Sequence, residues 1–359
     1  MAKRTIVPFG PQHPVLPEPI HLDLVLEDEM VVDVLPSVGF IHRGLELLCQ
    51  KKSFQDMVFV AERICGICSF IHGVGYCQGI EKVMNLDIPK RAQFLRVFWG
   101  ELSRVHSHLL WLGLAADAIG FESLFMHSWR VREKVLAIFE ETTGGRVIFG
   151  AAKVGGVRID ISQDKLDQLA IALDEIQKEY EPLAKVFLED YTVQHRWSEV
   201  GYLSKEDAHQ LGAVGPTARA SGLPQDMRKL RYGAYEDLEV EPIVETAGDC
   251  YARCVVRVKE IYQSLDLMRR VIHKIPAGEI ETKVTGFPQG EYFSRVEQPR
   301  GEVVYYVKGN GTKFLDRFRV RTPTFANIPP LLQMLKGCTL ADVPAIVLSI
   351  DPCISCTER

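Results

Sequence analysis

Apolar residues recur every third or fourth position between Lys90 and Gly120, at Phe94, Leu95, Phe98, Leu102, Val105, Leu109 and Leu112. That spacing places them on one face of a long α-helix. A second helix is predicted from about Leu124 to Thr142, stopped by Gly144-Gly145, because glycine takes the left-handed conformation past a helix end at little cost. A third starts at Ser162, whose hydroxyl can accept from a free N–H of the first turn, and runs towards Tyr191 with a bend at Pro182. Ser204 with Asp207 marks a short capped helix ended by Gly212, and Asp249 to Lys274 reads as another long helix closed by Pro276.

Elsewhere the period is two. From His21 to Leu35, Leu22, Leu24 and Leu26 and then Val32 and Val34 alternate with polar residues around Glu27-Asp28-Glu29, a β-hairpin pattern. Glu302 to Val307 and Lys313 to Val320 read as strands joined at Asn310-Gly311, a pair suited to tight hairpin turns. The opening segment, with Pro8, Pro11, Pro14, Pro17 and Pro19, cannot be helical and reads as an extended loop. Phe40 to Val60 reads as a loop leading into helix. The expected fold class is α+β, mainly α: a central bundle of long helices with β-hairpins near the N- and C-terminal parts, residues 1–359 forming one domain.

Composition narrows the partners. The chain is 47% hydrophobic and 25% charged with a net charge of -5, which argues against nucleic acid as a partner. No apolar run is long enough to span a membrane. Met1-Ala2-Lys3-Arg4 is followed by no apolar stretch, so no signal peptide is expected. Nine cysteines, an odd number, disfavour a secreted disulfide framework. A cytoplasmic location is expected, with thiols reduced and free to bind metal.

Four of those cysteines form two pairs at opposite ends: Cys65 and Cys68 in Arg63-Ile64-Cys65-Gly66-Ile67-Cys68, and Cys353 and Cys356 in Asp351-Pro352-Cys353-Ile354-Ser355-Cys356. On spacing alone, a closed structural zinc site is the commoner arrangement. Against it, the chain has ample apolar residues for a core, neither pair lies in a zinc-ribbon pattern, and Arg63, His72, Arg321 and Glu46 bring positioning and proton-transfer groups. The remaining cysteines, Cys49, Cys77, Cys250, Cys254 and Cys338, are expected in the core. His106 and His108, two apart, fall on different helix faces and are not expected to share a metal.

The paired cysteines, with His72 after the first pair, resemble the large subunit of nickel–iron hydrogenases. The similarity extends to His42-Arg43-Gly44-Leu45-Glu46, Pro299-Arg300-Gly301-Glu302 and Arg321-Thr322-Pro323-Thr324. The short chain and Phe9-Gly10-Pro11-Gln12-His13-Pro14 are similar to the energy-converting, Ech-type branch. That branch is related to the quinone-site subunit of respiratory complex I, which lacks the metal cysteines.

The resemblance implies reversible oxidation of dihydrogen at a nickel–iron centre whose iron carries carbonyl and cyanide ligands. Cys65 and Cys353 would be terminal on nickel, and Cys68 and Cys356 would bridge to iron. It implies that Arg321 lies over the open metal position, supported by Asp117, and that Ser349, at a strand end, bonds cyanide. His72 would donate to a cysteine sulfur, with Arg63 also beside the metals. Glu46 would be the first proton relay beside Cys353, the base nearest the metal. Arg359 stands where many members carry histidine before a maturation cut, so the chain is expected to lack an extension or to be processed already. This leaves a magnesium site near the C-terminus open.

No further cysteine set suits an iron–sulfur cluster. The implied partners are therefore a small subunit carrying one, a further iron–sulfur subunit, integral membrane subunits that move ions, and ferredoxin. The protein would sit peripherally on the cytoplasmic face of the membrane through those partners. The alternatives are a complex I-like quinone-site or coupling subunit and a zinc-stapled scaffold without catalysis.

Overall fold

The computed structural model describes residues 4–14, 16 and 18–359. The expectations for Met1-Ala2-Lys3 and for Pro17 therefore lie outside the described residues. Strands β1 (Arg4–Phe9), β2 (His21–Glu27) and β3 (Met30–Ser37) form an antiparallel sheet in that order. Leu22, Leu24 and Leu26 alternate into the core as their spacing requires. The alternation does not disclose β1, which contains Pro8, paired with Asp23. Proline is tolerated there because β1 is an edge strand, where a missing N–H costs no ladder bond.

The helices follow. Helix α1 (Met57–Glu62) and α2 (Ser69–Val83) flank the first cysteine pair, and α3 (Lys90–Ala118) is the long predicted helix. Most of α3 is buried, charged residues included, as befits the central element of the fold. Helix α4 (Glu122–Thr143) packs against it and stops at Gly144, which has φ 80. Helix α5 (Gln163–Glu189) has Ser162 accepting from the Lys165 N–H at 3.3 Å and continues through Pro182. Helices α6 (Tyr191–Trp197), α7 (Lys205–Gln210) and α8 (Gly215–Ala220) are short. Ser204 caps α7 by accepting from Asp207 N–H at 3.0 Å. Helix α9 (Cys250–Lys274), capped by Asp249, packs along α3.

Between α4 and α5 lies the two-residue hairpin β4 (Ala152–Lys153) and β5 (Gly156–Val157). The last sheet is antiparallel, ordered β6 (Gln289–Gln298), β7 (Gly301–Asn310), β8 (Leu315–Arg321). Its first strand goes unmarked in the sequence, since the five residues at the start of β6 are all exposed and carry no alternation. Helices α10 (Pro323–Leu335), α11 (Val343–Ser349) and α12 (Ile354–Thr357) complete the chain. With 52% helix and 15% strand the protein is α+β and mainly α, as expected. Ser349, expected at a strand end, instead closes helix α11. Residues 343–348 are a short apolar run, which periodicity alone cannot divide between buried strand and helix. Helix α2 packs on β6 and β7 while α12 packs on α10, and this brings the two cysteine segments together. No helix of the described residues is long and apolar enough to cross a membrane.

Candidate metal centre

Each cysteine pair sits on a tight turn leading into a helix. Cys68 precedes α2 directly, and the Ile67 and Cys68 N–H groups point at Cys65 Sγ at 3.3 and 3.5 Å. Cys353 precedes α12, after Asp351 in the left-handed conformation at φ 55. The C-terminal turn is tied down by two threonines: Thr324 Oγ1 accepts from the Cys353 N–H at 3.1 Å, and Thr322 donates to the Cys356 carbonyl at 3.0 Å. Arg43 clamps the two turns to each other, donating to the carbonyls of Arg63 and Ile64 and, at 3.1 Å, of Ser355. Glu358 adds a second tie by accepting from the N–H groups of Gly39 and Ile41.

The four sulfurs converge. Cys65 and Cys353 Sγ are 3.3 Å apart, Cys68 and Cys356 Sγ 3.8 Å apart, and all four are buried and unbridged. Cys65, Cys68 and Cys356 lie mutually within 4.8 Å. Thiolates on a shared zinc-sized ion, with bonds of about 2.3 Å, stand about 3.8 Å apart in a tetrahedron. The sulfurs are thus at ligand spacing. Cys353 stands against Cys65, and its thiol also interacts with that of Cys356. Hydrogen bonds from Cys353, Cys356 and Cys68 hold the Cys65 thiol well below its usual range, while burial pushes Cys68 and Cys356 well up.

The surrounding groups differ from expectation in two places. The guanidinium beside the sulfurs is Arg300, not Arg321. Arg300 is buried and donates to the Asp351 carbonyl at 2.8 Å and its carboxylate at 2.9 Å. Its Nη1 and the Asp351 Oδ2 have no hydrogen-bond partner among the described residues. Burial opposes its charge, but Asp351 and the Cys353, Cys65 and Cys68 sulfurs keep it protonated. Arg321 sits at the end of β8, part-exposed, paired with the Glu302 carboxylate that Arg295 also binds. Asp117, expected to support Arg321, is exposed in the last turn of α3. Both arginines stand in motifs that the resemblance singles out, and burial separates them.

The second difference concerns the carboxylate beside Cys353. Glu18 accepts from the N–H groups of Ile354 and Ser355 and, at 2.5 Å, from the Ser355 hydroxyl. Glu46 instead accepts from Arg319 Nη1 at 2.6 Å, Val320 N–H at 3.0 Å and Arg359 Nε at 3.1 Å. It fastens Arg359 to β8. Glu18 lies in the proline-rich opening, which reads only as a loop, and its partners stand at 354 and 355 at the other end of the chain, so nothing local marks it.

The other expected groups are placed as follows. His72 Nε2 is 3.4 Å from Cys356 Sγ, with Nδ1 against the Tyr305 hydroxyl, and burial pushes the ring down to about 4, leaving it neutral. Arg63 is exposed and donates back to the Phe59 carbonyl at 3.0 Å. Ser349 is buried, donating to the Ile346 carbonyl at 2.7 Å and accepting from Arg253 Nε at 3.0 Å. His106 and His108 diverge to Arg132 and Glu260, as their spacing requires. The other five cysteines are buried or, for Cys338, part-buried.

Comparison with known proteins agrees with this architecture. Residues 118–287 and 282–359 match the family described as respiratory-chain NADH dehydrogenase, 49 Kd subunit, and residues 43–115 match nickel-dependent hydrogenase. The chain is 37% identical to membrane-bound hydrogenase subunit alpha of Pyrococcus furiosus, over 98% of this chain and 87% of the relative. It is 36% identical to the carbon monoxide-induced hydrogenase of Rhodospirillum rubrum, over 98% and 99%. It is also 35% identical to one subunit of the F(420)H(2) dehydrogenase of Methanosarcina mazei, over 99% and 97%. The chain belongs to the family that joins the large subunits of membrane-bound, energy-converting nickel–iron hydrogenases to the 49 Kd subunit of respiratory-chain NADH dehydrogenase.

Proposed function

We propose that the chain is the catalytic large subunit of an energy-converting nickel–iron hydrogenase, oxidising dihydrogen reversibly to protons and electrons. The carrying observation is the set of four buried, unbridged sulfurs at 3.3 and 3.8 Å pair spacing, joined from opposite ends of the chain by Arg43. Cys65 and Cys353 would hold nickel, and Cys68 and Cys356 would be shared with an iron carrying carbonyl and cyanide. Such a centre supplies a redox-active Lewis acid at which dihydrogen splits heterolytically.

The chain's own residues supply the rest. Arg300 presents an N–H without a partner among the described residues beside the sulfurs and offsets negative charge that develops there. His72, neutral, lies against Cys356 and tunes the charge on its sulfur. Glu18, bonded to the backbone directly after Cys353, takes the role of first proton acceptor in place of Glu46, with the Ser355 hydroxyl adjoining it. Burial of the cluster keeps bulk water away and strengthens each of these interactions.

The relatives' names support a setting in a larger complex. Similarity to a membrane-bound hydrogenase subunit fits a peripheral chain that passes electrons through iron–sulfur subunits to ferredoxin while membrane subunits move ions. A second reading, a quinone-site or coupling subunit, draws on the match to the 49 Kd family and on the F(420)H(2) dehydrogenase relative. Metal analysis of the purified complex separates the two. The hydrogenase reading expects about one nickel per chain and infrared bands of metal-bound carbonyl and cyanide. Zinc alone, or no metal and no such bands, overturns it.

A further inference from the structure

On the α3–α9 side of the thiolates, unpaired buried polar atoms gather in one region. Arg300 Nη1, Asp351 Oδ2, both amide atoms of Gln298, Ser107 Oγ, His108 Nδ1, and Arg257 Nε and Nη2 are eight atoms without a hydrogen bond among the described residues. The fold makes them neighbours. Gln298 and Arg300 share the turn between β6 and β7, and Arg104 of α3 donates to the Gln298 carbonyl at 3.1 Å. Ser107 and His108 follow Arg104 by three and four positions, on the same helix face. Arg257, from α9, lies over the Trp111 ring and interacts with the charges of both Asp351 and Glu260. Buried polar atoms in folded proteins are nearly always paired, so internal water here would meet partners that the described residues leave unmatched.

At the far end of this region stands a histidine–carboxylate dyad. His108 Nε2 lies 2.8 Å from Glu260 Oε2, and both side chains are fully buried. Glu260 is fixed by Arg219 Nε at 2.9 Å and faces Arg104 at 3.8 Å. An Nε2–H given to Glu260 leaves Nδ1 with its lone pair and no protein partner among the described residues. The charged groups around the ring are Glu260 and Arg257 from α9 and Arg104 from α3. Burial pushes His108 down to about 4, so the ring is neutral at rest and holds an added proton only briefly.

We propose that the His108–Glu260 dyad is a transient proton acceptor for the metal centre, reached through internal water held by Arg300, Asp351, Gln298 and Ser107 and separate from the Glu18 exit. This rests on the hydrogenase reading above. In the step, an O–H bond of the water at Nδ1 breaks as the N–H bond forms, and that water takes a proton from the next in line. No electrons change place. The imidazolium is balanced by the Glu260 carboxylate, which also fixes the ring tautomer.

The test uses the intact holo-complex. A cryo-microscopy map that resolves ordered water should show water bonded to His108 Nδ1 and continuing towards Arg300; a dry region overturns the proposal. His108→Gln keeps an amide able to donate to Glu260 but cannot titrate. It should retain nickel and the infrared bands while exchange between deuterium gas and solvent protons falls at least about tenfold, with a larger solvent isotope effect. Should that variant not assemble, Ser107→Ala removes one water anchor and no charge, and should slow exchange in the same direction. Normal exchange with normal nickel in whichever variant assembles overturns the dyad's role alone. Wild-type complex without nickel or exchange sinks the hydrogenase reading instead.

Discussion

Arg300 donates to both the carbonyl and the carboxylate of Asp351, at 2.8 and 2.9 Å, and so fastens the turn between β6 and β7 to the backbone entering Cys353. The guanidinium and Cys353 are thus carried on one rigid unit. Asp351 holds its left-handed conformation within this grip, and the remaining Arg300 Nη1 has no partner among the described residues near the sulfurs.

From this follows a contrast between two arginines. Arg300→Lys keeps the charge and loses the planar donor fork. Nickel content should stay near wild type while dihydrogen oxidation falls about 10²–10³-fold, the usual loss for one positioned donor. Arg300→Met should do worse, since a buried Asp351 left without its partner costs about 3–5 kcal/mol. Arg321→Lys, at a part-exposed pair with Glu302, should turn over nearly normally. Equal losses in the two lysine variants would contradict the assignment.

Two glutamates give a second contrast. Glu18→Gln retains an oxygen for the Ile354 and Ser355 N–H groups but cannot take up a proton. Infrared bands and nickel should persist while dihydrogen oxidation drops about 10²–10⁴-fold. Glu46→Gln only weakens the ties to Arg319 and Arg359, so its activity should change little. If Glu46→Gln were the inactive one, protons would leave past Arg359 instead.

The sequence discloses what is periodic or close in register. The long helix α3, the Ser162 and Ser204 caps and the β7–β8 hairpin all follow from local spacing, as do the two cysteine pairs. What it hides is long-range. Glu18 finds its partners at 354 and 355, and Arg43 joins carbonyls from both ends of the chain. Strand β1 is concealed by proline, and β6 by exposed residues whose pairing comes wholly from β7. Arg300 and Arg321 each stand in a distinctive motif, and burial, which no single sequence reports, decides between them.

Glu62 gives a prediction about pH. Its carboxylate is buried with both oxygens unpaired among the described residues, and burial pushes it up to about 7. The folded chain therefore binds more protons at this site than the unfolded chain between about pH 4.5 and 7. Stability present at acid pH should fall as pH rises through that window, by on the order of 3 kcal/mol once the group is ionised. Glu62→Gln has no such titration. Urea unfolding of the purified chain at pH 5 and pH 8 should show the wild type losing more stability than the variant; equal slopes would mean that Glu62 is ionised throughout.

The turn that carries Arg300 depends on backbone contact with α8, which a methyl group can probe. Gly301 has φ 126, and a Cβ there would stand 2.6 Å from Gly215 N and 2.7 Å from Gly215 Cα. Gly215 has φ 65, and a Cβ on it would meet the Arg300 carbonyl oxygen at 2.3 Å. Every clashing atom is main chain, so no side chain can swing aside. Gly301→Ala should therefore combine backbone strain of about 1–3 kcal/mol with an overpacking cost of similar size. The relief available is to move the turn, and moving it displaces Arg300 from Asp351. Nickel occupancy should fall together with stability. Gly311→Ala, at an exposed turn with φ 76 and no neighbour closer than 3.9 Å, bears the backbone strain alone and should leave nickel unchanged. Matching unfolding curves and matching nickel content for the two variants would show that the α8 contact does not hold Arg300 in place.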